Sequence, residues 1–172
     1  KVREKNKIKF VNITICDHNE ATIYLATTGM GTINAALVLS TLCSSIDFDA
    51  VFFSGTAGGI DERLKIGDVV IATDTFDADI FSIHKAVLGT PFEGALINPN
   101  NGDKTPQFFS ANPALLSKAA TDKWSFGVFQ GHVASSNHFP SPAELFKDIK
   151  EKNSMVIDME SAALYQFSWL SQ

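Results

Sequence analysis

A chain of 172 residues is long enough for one domain with a sizeable hydrophobic core, and 45% hydrophobic with 19% charged residues is globular composition. The 14 basic and 19 acidic residues give a net charge of −5, which argues against nucleic acid or an anionic membrane surface as the main partner. Neither a membrane-length apolar run nor a signal-peptide pattern is evident, so we expect a cytoplasmic protein.

The cysteines and histidines show no pattern typical of a metal site. Cys16 and Cys43 lack ligand spacing, and the four histidines form no HxH, HxxxH or HExxH motif. We therefore expect reduced cysteines, no metal ion and no other cofactor. Asp77 and Asp79 alternate in an acidic stretch, which could be a paired acid site or simply two solvated carboxylates.

The beginning of the chain predicts a β-hairpin. Seven charge-rich residues come first and should be exposed or frayed. Residues 8–16 alternate between apolar and polar side chains, as a strand does, and residues 21–27 supply the return strand.

A βαβ unit should follow the hairpin. After a glycine turn at residues 28–31, Thr32 can cap a largely buried helix. Residues 50–54 are apolar on both faces, which predicts a strand covered on both sides. A strand, a helix and a strand in this order imply parallel neighbours and a right-handed crossover.

The glycine-rich turn at residues 55–59 has two interpretations. Gly55, Gly58 and Gly59 permit positive φ and a close approach of a ligand, whose oxygen atoms could face the bare N–H groups. The turn could equally be a tight connection between two core strands.

The second half of the chain alternates strands with helices. A strand is predicted over residues 69–73, followed by an acidic loop at 74–79 and by a long loop over 81–109 that should be functional or mobile. The remaining predictions are a helix from Asn112 to about residue 121, a strand at 126–134, a helix after the capping box at 141–144 with Pro142 at its first position, a strand at 155–157 and a final helix.

Four small or polar turns follow predicted strands. In open α/β sheets, ligands bind outside the carboxyl ends of the strands. If these strands share one sheet and one direction, the turns converge on a crevice for a small polar ligand, with Phe139 and Met159 as apolar walls. The four turns are residues 28–31, 55–59, 135–139 and 158–160.

Single residues in these turns remain open to two interpretations. Glu160 begins an apolar helix, so it could be a carboxylate favoured by the helix dipole, or the acceptor of two hydrogen bonds from a ribose diol. Phe139 could be a core residue or a stacking platform for a base. Asn137 and His138 could contact a ligand or only cap the next turn.

Three segments together resemble a known family: TTGMGTINAAL, SGTAGGIDERLKIGDVVIATD and VIDMESAAL, in that order. They are similar to the nucleoside phosphorylase and nucleosidase superfamily, and most of all to the 5′-methylthioadenosine/S-adenosylhomocysteine nucleosidases, over about residues 8–170. The resemblance implies a three-layer α/β/α sandwich with a central twisted mixed sheet, cleavage of a purine N-glycosidic bond, and a homodimer with residues 77–81 near its interface.

The resemblance also implies a substrate site. Glu160 matches the carboxylate that binds the ribose hydroxyls, Met159 lies beside the sugar, and Phe139 matches the aromatic ring that stacks on the purine. The backbone of residues 135–139 would contact the base, and the turn at 56–58 would line the sugar and the leaving group. The implied set is Thr56, Ala57, Gly58, Ser136, Asn137, His138, Phe139, Asp158, Met159 and Glu160.

One departure from the family selects the nucleophile. Phosphorylases of the superfamily carry a phosphate-binding arginine at the position of Phe53, and the only two arginines, Arg3 and Arg63, do not match it. Water is then the expected nucleophile, attacking an oxocarbenium-like sugar. A phosphorylase with an arginine from elsewhere, or a nucleoside-binding protein without activity, are the alternatives.

Other departures concern the base contacts and the extent of the chain. Asp158 stands where the family has glutamate, and SSNHF replaces SGD-x-F. In the family, an acidic residue of the first strand positions the water, and an aspartate of a strand after the last helix protonates the purine. Both would lie outside residues 1–172, so we expect a single domain that is part of a longer protein and lacks the family's first strand and its C-terminal strand and helix.

Overall fold

The computed structural model describes residues 1–89, 97–119, 124–139 and 141–171. Within these ranges the chain forms eight strands and five helices. In chain order they are β1 (Val2–Ile8), β2 (Val11–His18), β3 (Ala21–Ala26), α1 (Thr32–Cys43), β4 (Gly58–Gly59), β5 (Val69–Asp77), α2 (Ala78–Leu88), β6 (Phe109–Ser110), α3 (Pro113–Leu116), β7 (Val128–Ser135), α4 (Ala143–Glu151), β8 (Ser154–Asp158) and α5 (Ser161–Leu170). No helix among the described residues is long and apolar enough to cross a membrane.

The strands in the described part of the chain form two sheets. Strands β1, β2 and β3 make an antiparallel meander, and a second, mixed sheet has the order β4-β8-β7-β5-β6. In the mixed sheet, β5, β7 and β8 are parallel, whereas β4 and β6 are antiparallel to their neighbours. The register pairs Asp77 with Ser135 and Ser135 with Asp158, so these three residues lie side by side at the carboxyl ends of the parallel strands.

Four of the five helices in the described residues pack as two pairs with separate cores. Helices α2 and α4 contact each other and the mixed sheet, around a cluster that includes Phe76, Phe81, Ala134 and Ile149. Helices α1 and α5 contact each other, and α5 also packs on β5 and β7. This α/β arrangement, with a mixed sheet between helices, agrees with the architecture that the sequence predicts.

Capping residues begin two helices at the chain positions where strands or loops end. The Asp77 side chain accepts a hydrogen bond from the Ile80 N–H at 2.9 Å, and α2 ends at Gly89 in the left-handed conformation. Asn112 accepts from two N–H groups at the start of α3, which confirms its predicted capping role.

The predicted strand at residues 50–54 is wrong, and the βαβ unit built on it is therefore also wrong. These residues pair with no strand in the described part of the chain, and Val51 and Phe52 are 50% and 79% exposed. The prediction assumed that an apolar run is covered on both faces. Pairing begins only at Gly58, which lies opposite Ile157 of β8.

Three loop predictions are also corrected. The stretch 74–79 is not a loop, because β5 continues to Asp77 alongside β7 and α2 begins at Ala78. Helix α2 also occupies the first part of the predicted loop 81–109, of which residues 90–96 lie outside the described residues. The first seven residues are exposed as predicted, but β1 begins at Val2.

Several predicted helix ends shift. Gly31, not Thr32, is the capping position of α1, and Pro142 precedes α4 without the side-chain bond of a capping box. Helix α3 ends at Leu116, before the predicted end near residue 121, and residues 120–123 lie outside the described residues.

We expect Phe76→Ala to lower the free energy of unfolding by about 3–5 kcal/mol, because it leaves a cavity in the core of the mixed sheet. Phe76 is 2% exposed and meets Phe81 and Phe108 edge to face. Urea denaturation would measure the change, with Phe10→Ala as the control because Phe10 is 52% exposed. Equal losses in both variants would contradict the assigned core.

A second prediction concerns Asp77 and pH. Burial raises the pKa of Asp77 above its ordinary 3.8, and the charge of Asp79 adds to the effect. A higher pKa in the folded state means that stability is lost as the pH rises from the unfolded-state pKa through the folded-state pKa. Asparagine cannot ionise but still caps a helix.

We therefore expect Asp77→Asn to become more stable relative to the wild-type protein as the pH rises from about 4 to about 7. Urea denaturation at several pH values would measure this, with Asp103→Asn in an exposed loop as the control. A stability difference that does not change with pH would count against the buried, ionising Asp77.

Candidate active site

The carboxylate of Glu160 meets the first glycine turn of the chain. The Gly31 N–H donates to Glu160 Oε1 at 2.6 Å, across 129 residues of sequence, and the Met159 N–H donates to Oε2 at 3.3 Å. Gly31 has a φ of 96°, in the region that glycine adopts readily. The turn at 28–31 therefore presents its N–H group to a half-buried carboxylate at the end of β8.

The same turn is joined to the segment after β7 by Asn137. The Asn137 Oδ1 accepts from the Thr32 N–H at 3.2 Å, and Asn137 Nδ2 donates to Thr32 Oγ1 at 2.9 Å. Glu160 and Asn137 thus accept hydrogen bonds from free N–H groups at the start of α1. The partial positive charge of that helix end favours the Glu160 carboxylate.

Asp158 lies below the surface and holds the start of α5. It is 9% exposed, and its Oδ1 accepts from Ser135 Oγ at 2.6 Å. Its Oδ2 accepts from the hydroxyl and from the N–H of Ser161, the latter at 3.2 Å. Ser135 Oγ in turn accepts from the Ala162 N–H at 2.8 Å. Asp158 therefore fixes the turn that carries Glu160.

Asp79 contacts the segment 135–139 directly. Its Oδ1 accepts from Ser136 Oγ at 2.5 Å and lies 3.1 Å from His138 Nδ1. Its Oδ2 accepts from the Asn137 N–H at 2.8 Å. The sequence had associated Asp79 with a dimer interface through the family resemblance, and no local pattern showed that it reaches this segment.

The side chains of five further predicted residues take no part in this hydrogen-bond network, although the backbone N–H of one of them, Met159, donates to Glu160. Phe139 is 89% exposed, and Met159 is half-buried beside Glu160. Gly58 lies in β4 opposite Ile157, where a Cβ atom would approach the Ile157 side chain to 3.3 Å. Thr56 and Ala57 are exposed just before it, and the Thr56 hydroxyl forms no hydrogen bond to Glu160.

A half-buried tyrosine on α5, Tyr165, lies close to two acidic groups. Burial raises the pKa of Tyr165, and the charges of Asp74 and Asp158 raise it further. Tyr165 therefore keeps its proton at neutral pH and contributes no additional negative charge to this region.

No arginine contacts this region within the described residues. Phe53 instead packs against the cluster between α1 and α5, which contains Ala35, Leu39 and Leu164. The two arginines form ion pairs elsewhere, Arg3 with Asp17 and Arg63 with Asp61.

Curated proteins similar to this chain include two 5′-methylthioadenosine/S-adenosylhomocysteine nucleosidases. The protein of Bacillus licheniformis is 28% identical over 152 residues, which cover 86% of this chain and 62% of the relative. The protein of Buchnera aphidicola is 25% identical over 169 residues, covering 94% of this chain and 67% of the relative. The chain thus spans about three fifths of the length of the first relative.

Solved structures share the fold. A mutant of Helicobacter pylori MTAN with 5′-methylthioadenosine in the active site matches with a TM-score of 0.79 at 19% identity, over 96% of this chain and 69% of that chain. The Neisseria meningitidis nucleosidase in complex with methylthio-immucillin-A gives 0.78 at 24% identity, over 96% and 70%. A mutant of the futalosine hydrolase of Helicobacter pylori gives 0.79 at 18% identity, over 96% and 72%.

These likenesses confirm the family resemblance and the α/β fold predicted from the three sequence segments. The family-level match is the most extensive, because the sequence model of the phosphorylase superfamily matches residues 1–169. The chain therefore belongs to the phosphorylase superfamily.

Proposed function

We propose that this protein is a purine nucleosidase, which hydrolyses the N-glycosidic bond of 5′-methylthioadenosine or S-adenosylhomocysteine-type nucleosides to free adenine and a thioribose. The single observation that carries the proposal is the position of Glu160. Its carboxylate is half-buried at the end of β8 and is oriented by the Gly31 N–H at 2.6 Å.

Glu160 suits a ribose diol because a carboxylate has more acceptor sites than its two backbone N–H partners occupy. Gly31 and Met159 each donate to one of its oxygens, so each oxygen keeps capacity for a sugar hydroxyl. Two adjacent hydroxyls can then bind both oxygens at once. This geometry supports the assignment of Glu160 to the ribose.

The negative charge of Glu160 suits a reaction in which the sugar becomes cationic in the transition state. Hydrolysis breaks the bond between the sugar C1′ and the purine nitrogen, a water oxygen bonds to C1′, and the purine leaves with a proton. Positive charge develops on the sugar during this step. The half-buried carboxylate of Glu160 can stabilise it, because charge interactions strengthen away from water.

Hydrolysis is favoured over phosphorolysis by Phe53. A phosphorylase needs a cation for the phosphate dianion, whereas Phe53 packs its ring between α1 and α5. Water is then the nucleophile. The likeness to futalosine hydrolase as well as to the methylthioadenosine nucleosidases makes the choice of nucleoside a separate experimental question.

A homodimer is part of this proposal. Helix α2 exposes Ile80, Ile83 and Val87, at 36%, 62% and 74%, with a spacing that places them along one side of the helix. Apolar side chains aligned in this way are typical of a helix that packs against a partner. Sedimentation of the intact protein tests this part.

The direct test is release of free base by the intact protein, with and without phosphate. We expect adenine to be released from 5′-methylthioadenosine in phosphate-free buffer at the same rate as in phosphate. Futalosine assayed in parallel identifies the preferred nucleoside. Release only in phosphate would instead indicate a phosphorylase, and saturable binding without release would indicate a nucleoside-binding protein.

We expect Glu160→Gln to lower kcat/KM by roughly 10²-fold or more, because the amide removes the charge that supports the sugar cation. The amide NH₂ would also face the Met159 N–H, two donors against each other. Glu20→Gln, at the exposed turn between β2 and β3, is the matched control. Wild-type kinetics in the Glu160 variant would refute the site assignment.

We expect Phe139→Ala to weaken adenine binding by about 1–3 kcal/mol, the usual contribution of one stacked base. Isothermal titration with free adenine measures the loss, and Phe10→Ala provides an exposed phenylalanine as the control. Unchanged adenine affinity in Phe139→Ala would show that the ring does not stack on the base.

A further inference from the structure

We propose that Asp79 is the positioning residue for the purine end of the site, acting through the base-binding segment at residues 135–139. This inference rests on the proposed function, in which Phe139 at the end of the segment stacks on the base. Asp79 itself need not touch the ligand. Its role is to fix the conformation of the residues that lead to Phe139.

The contacts of Asp79 reach three consecutive residues of the segment. Ser136 Oγ and the Asn137 N–H donate to different oxygens of the carboxylate, at 2.5 and 2.8 Å. His138 Nδ1 lies 3.1 Å from the oxygen that Ser136 uses. The partners are 57 to 59 residues away in sequence, so these contacts join α2 to the end of β7.

Through the hydroxyl of Ser136, Asp79 also influences the backbone of His138. The His138 N–H donates to Ser136 Oγ at 3.0 Å, while the same hydroxyl donates its own proton to Asp79. The backbone N–H groups of residues 137 and 138 are therefore both engaged within the segment, one directly and one through Ser136. The carboxylate thus determines the backbone path immediately before Phe139.

The surroundings make Asp79 a rigid support. Its side chain is 14% exposed, and hydrogen bonds to a carboxylate shielded from water are stronger than those on the surface. Asp79 lies in the first turn of α2, where the helix dipole favours a negative charge. Helix α2 begins directly after Asp77, which is paired with Ser135 at the start of the segment.

A second element holds the segment from the opposite direction. The Asn137 side chain is bonded to Thr32 at the start of α1, while its backbone N–H is bonded to Asp79. Asn137 is thus fixed between α1 and α2. Since α1 also orients Glu160 through Gly31, the base end and the sugar end share one support, and Asp79 acts on the base end alone.

The hydrogen-bond donors around Asp79 indicate which substitution would test its positioning role. Ser136 and Asn137 both present hydrogen atoms to Asp79, so both of its oxygens must accept. Asparagine has nearly the same shape but offers only one acceptor, and its NH₂ group would face a donor. Asp79→Asn therefore disturbs the segment without creating a cavity.

The experiment compares base binding with sugar binding in the intact protein. Isothermal titration with free adenine and with free 5-methylthioribose would be carried out on the wild-type protein, Asp79→Asn and Ser136→Ala. We expect Asp79→Asn to bind adenine about tenfold more weakly or worse, with methylthioribose affinity unchanged. Ser136→Ala should show a smaller loss, because the Asn137 N–H keeps its bond to Asp79.

Hydrogen exchange gives a readout that does not depend on activity. The Asn137 amide should exchange faster in Asp79→Asn than in the wild-type protein, while the amides of β7 keep their protection. Asp103→Asn, in an exposed loop, controls for the change in charge. Equal loss of adenine and sugar binding would overturn the proposal, because it would indicate general unfolding.

The outcomes separate this proposal from the proposed function. Wild-type adenine binding that persists unchanged in Asp79→Asn would refute the positioning role alone. A wild-type protein that binds neither adenine nor methylthioribose would refute the proposed function, and the role of Asp79 with it.

Discussion

The hydrogen bond from the Gly31 N–H to Glu160 connects the two halves of the candidate site. A helix leaves its first N–H groups without partners, and here a carboxylate from the far end of the chain accepts one of them. The bond orients the carboxylate while leaving acceptor capacity on both oxygens. The next residue, Thr32, donates to Asn137, so a single helix end holds both Glu160 and the segment that follows β7.

Two of the parallel strands end in the same way, with an aspartate that holds the start of the following helix. Asp77 ends β5 and caps α2, and Asp158 ends β8 and holds the start of α5. Because the register places Asp77, Ser135 and Asp158 side by side, acidic residues gather where helices begin. Helix dipoles and serine hydroxyls offset the repulsion between them. This leaves an acidic, partly buried surface, in keeping with the positive charge that the proposed reaction would develop on its ligand.

The packing of Phe53 gives the proposed hydrolase a structural basis. Its ring joins the apolar cluster between α1 and α5, so its place is determined by the core and not by a ligand. A phosphate-binding arginine at this point would have to lie partly within that cluster. Burying such a charge without a partner is costly, and the surrounding packing is therefore consistent with the loss of the phosphate site.

The sequence alone was enough to predict those features that depend on the pattern of residues within a short stretch of the chain. Alternation of apolar and polar residues indicated β2, strands were also predicted where β3 and β7 lie, and Asn112 marked a helix start. The order of three motifs identified the superfamily and singled out Glu160. The strand predicted at residues 50–54 was wrong, because composition shows that a segment is apolar but not whether a neighbouring strand is present to pair with it. Only the tertiary structure decided that Asp158 is a buried support and that Asp79 contacts the segment at residues 135–139. Those contacts join residues that are distant in the chain, and no local periodicity encodes which donors a carboxylate will meet after folding.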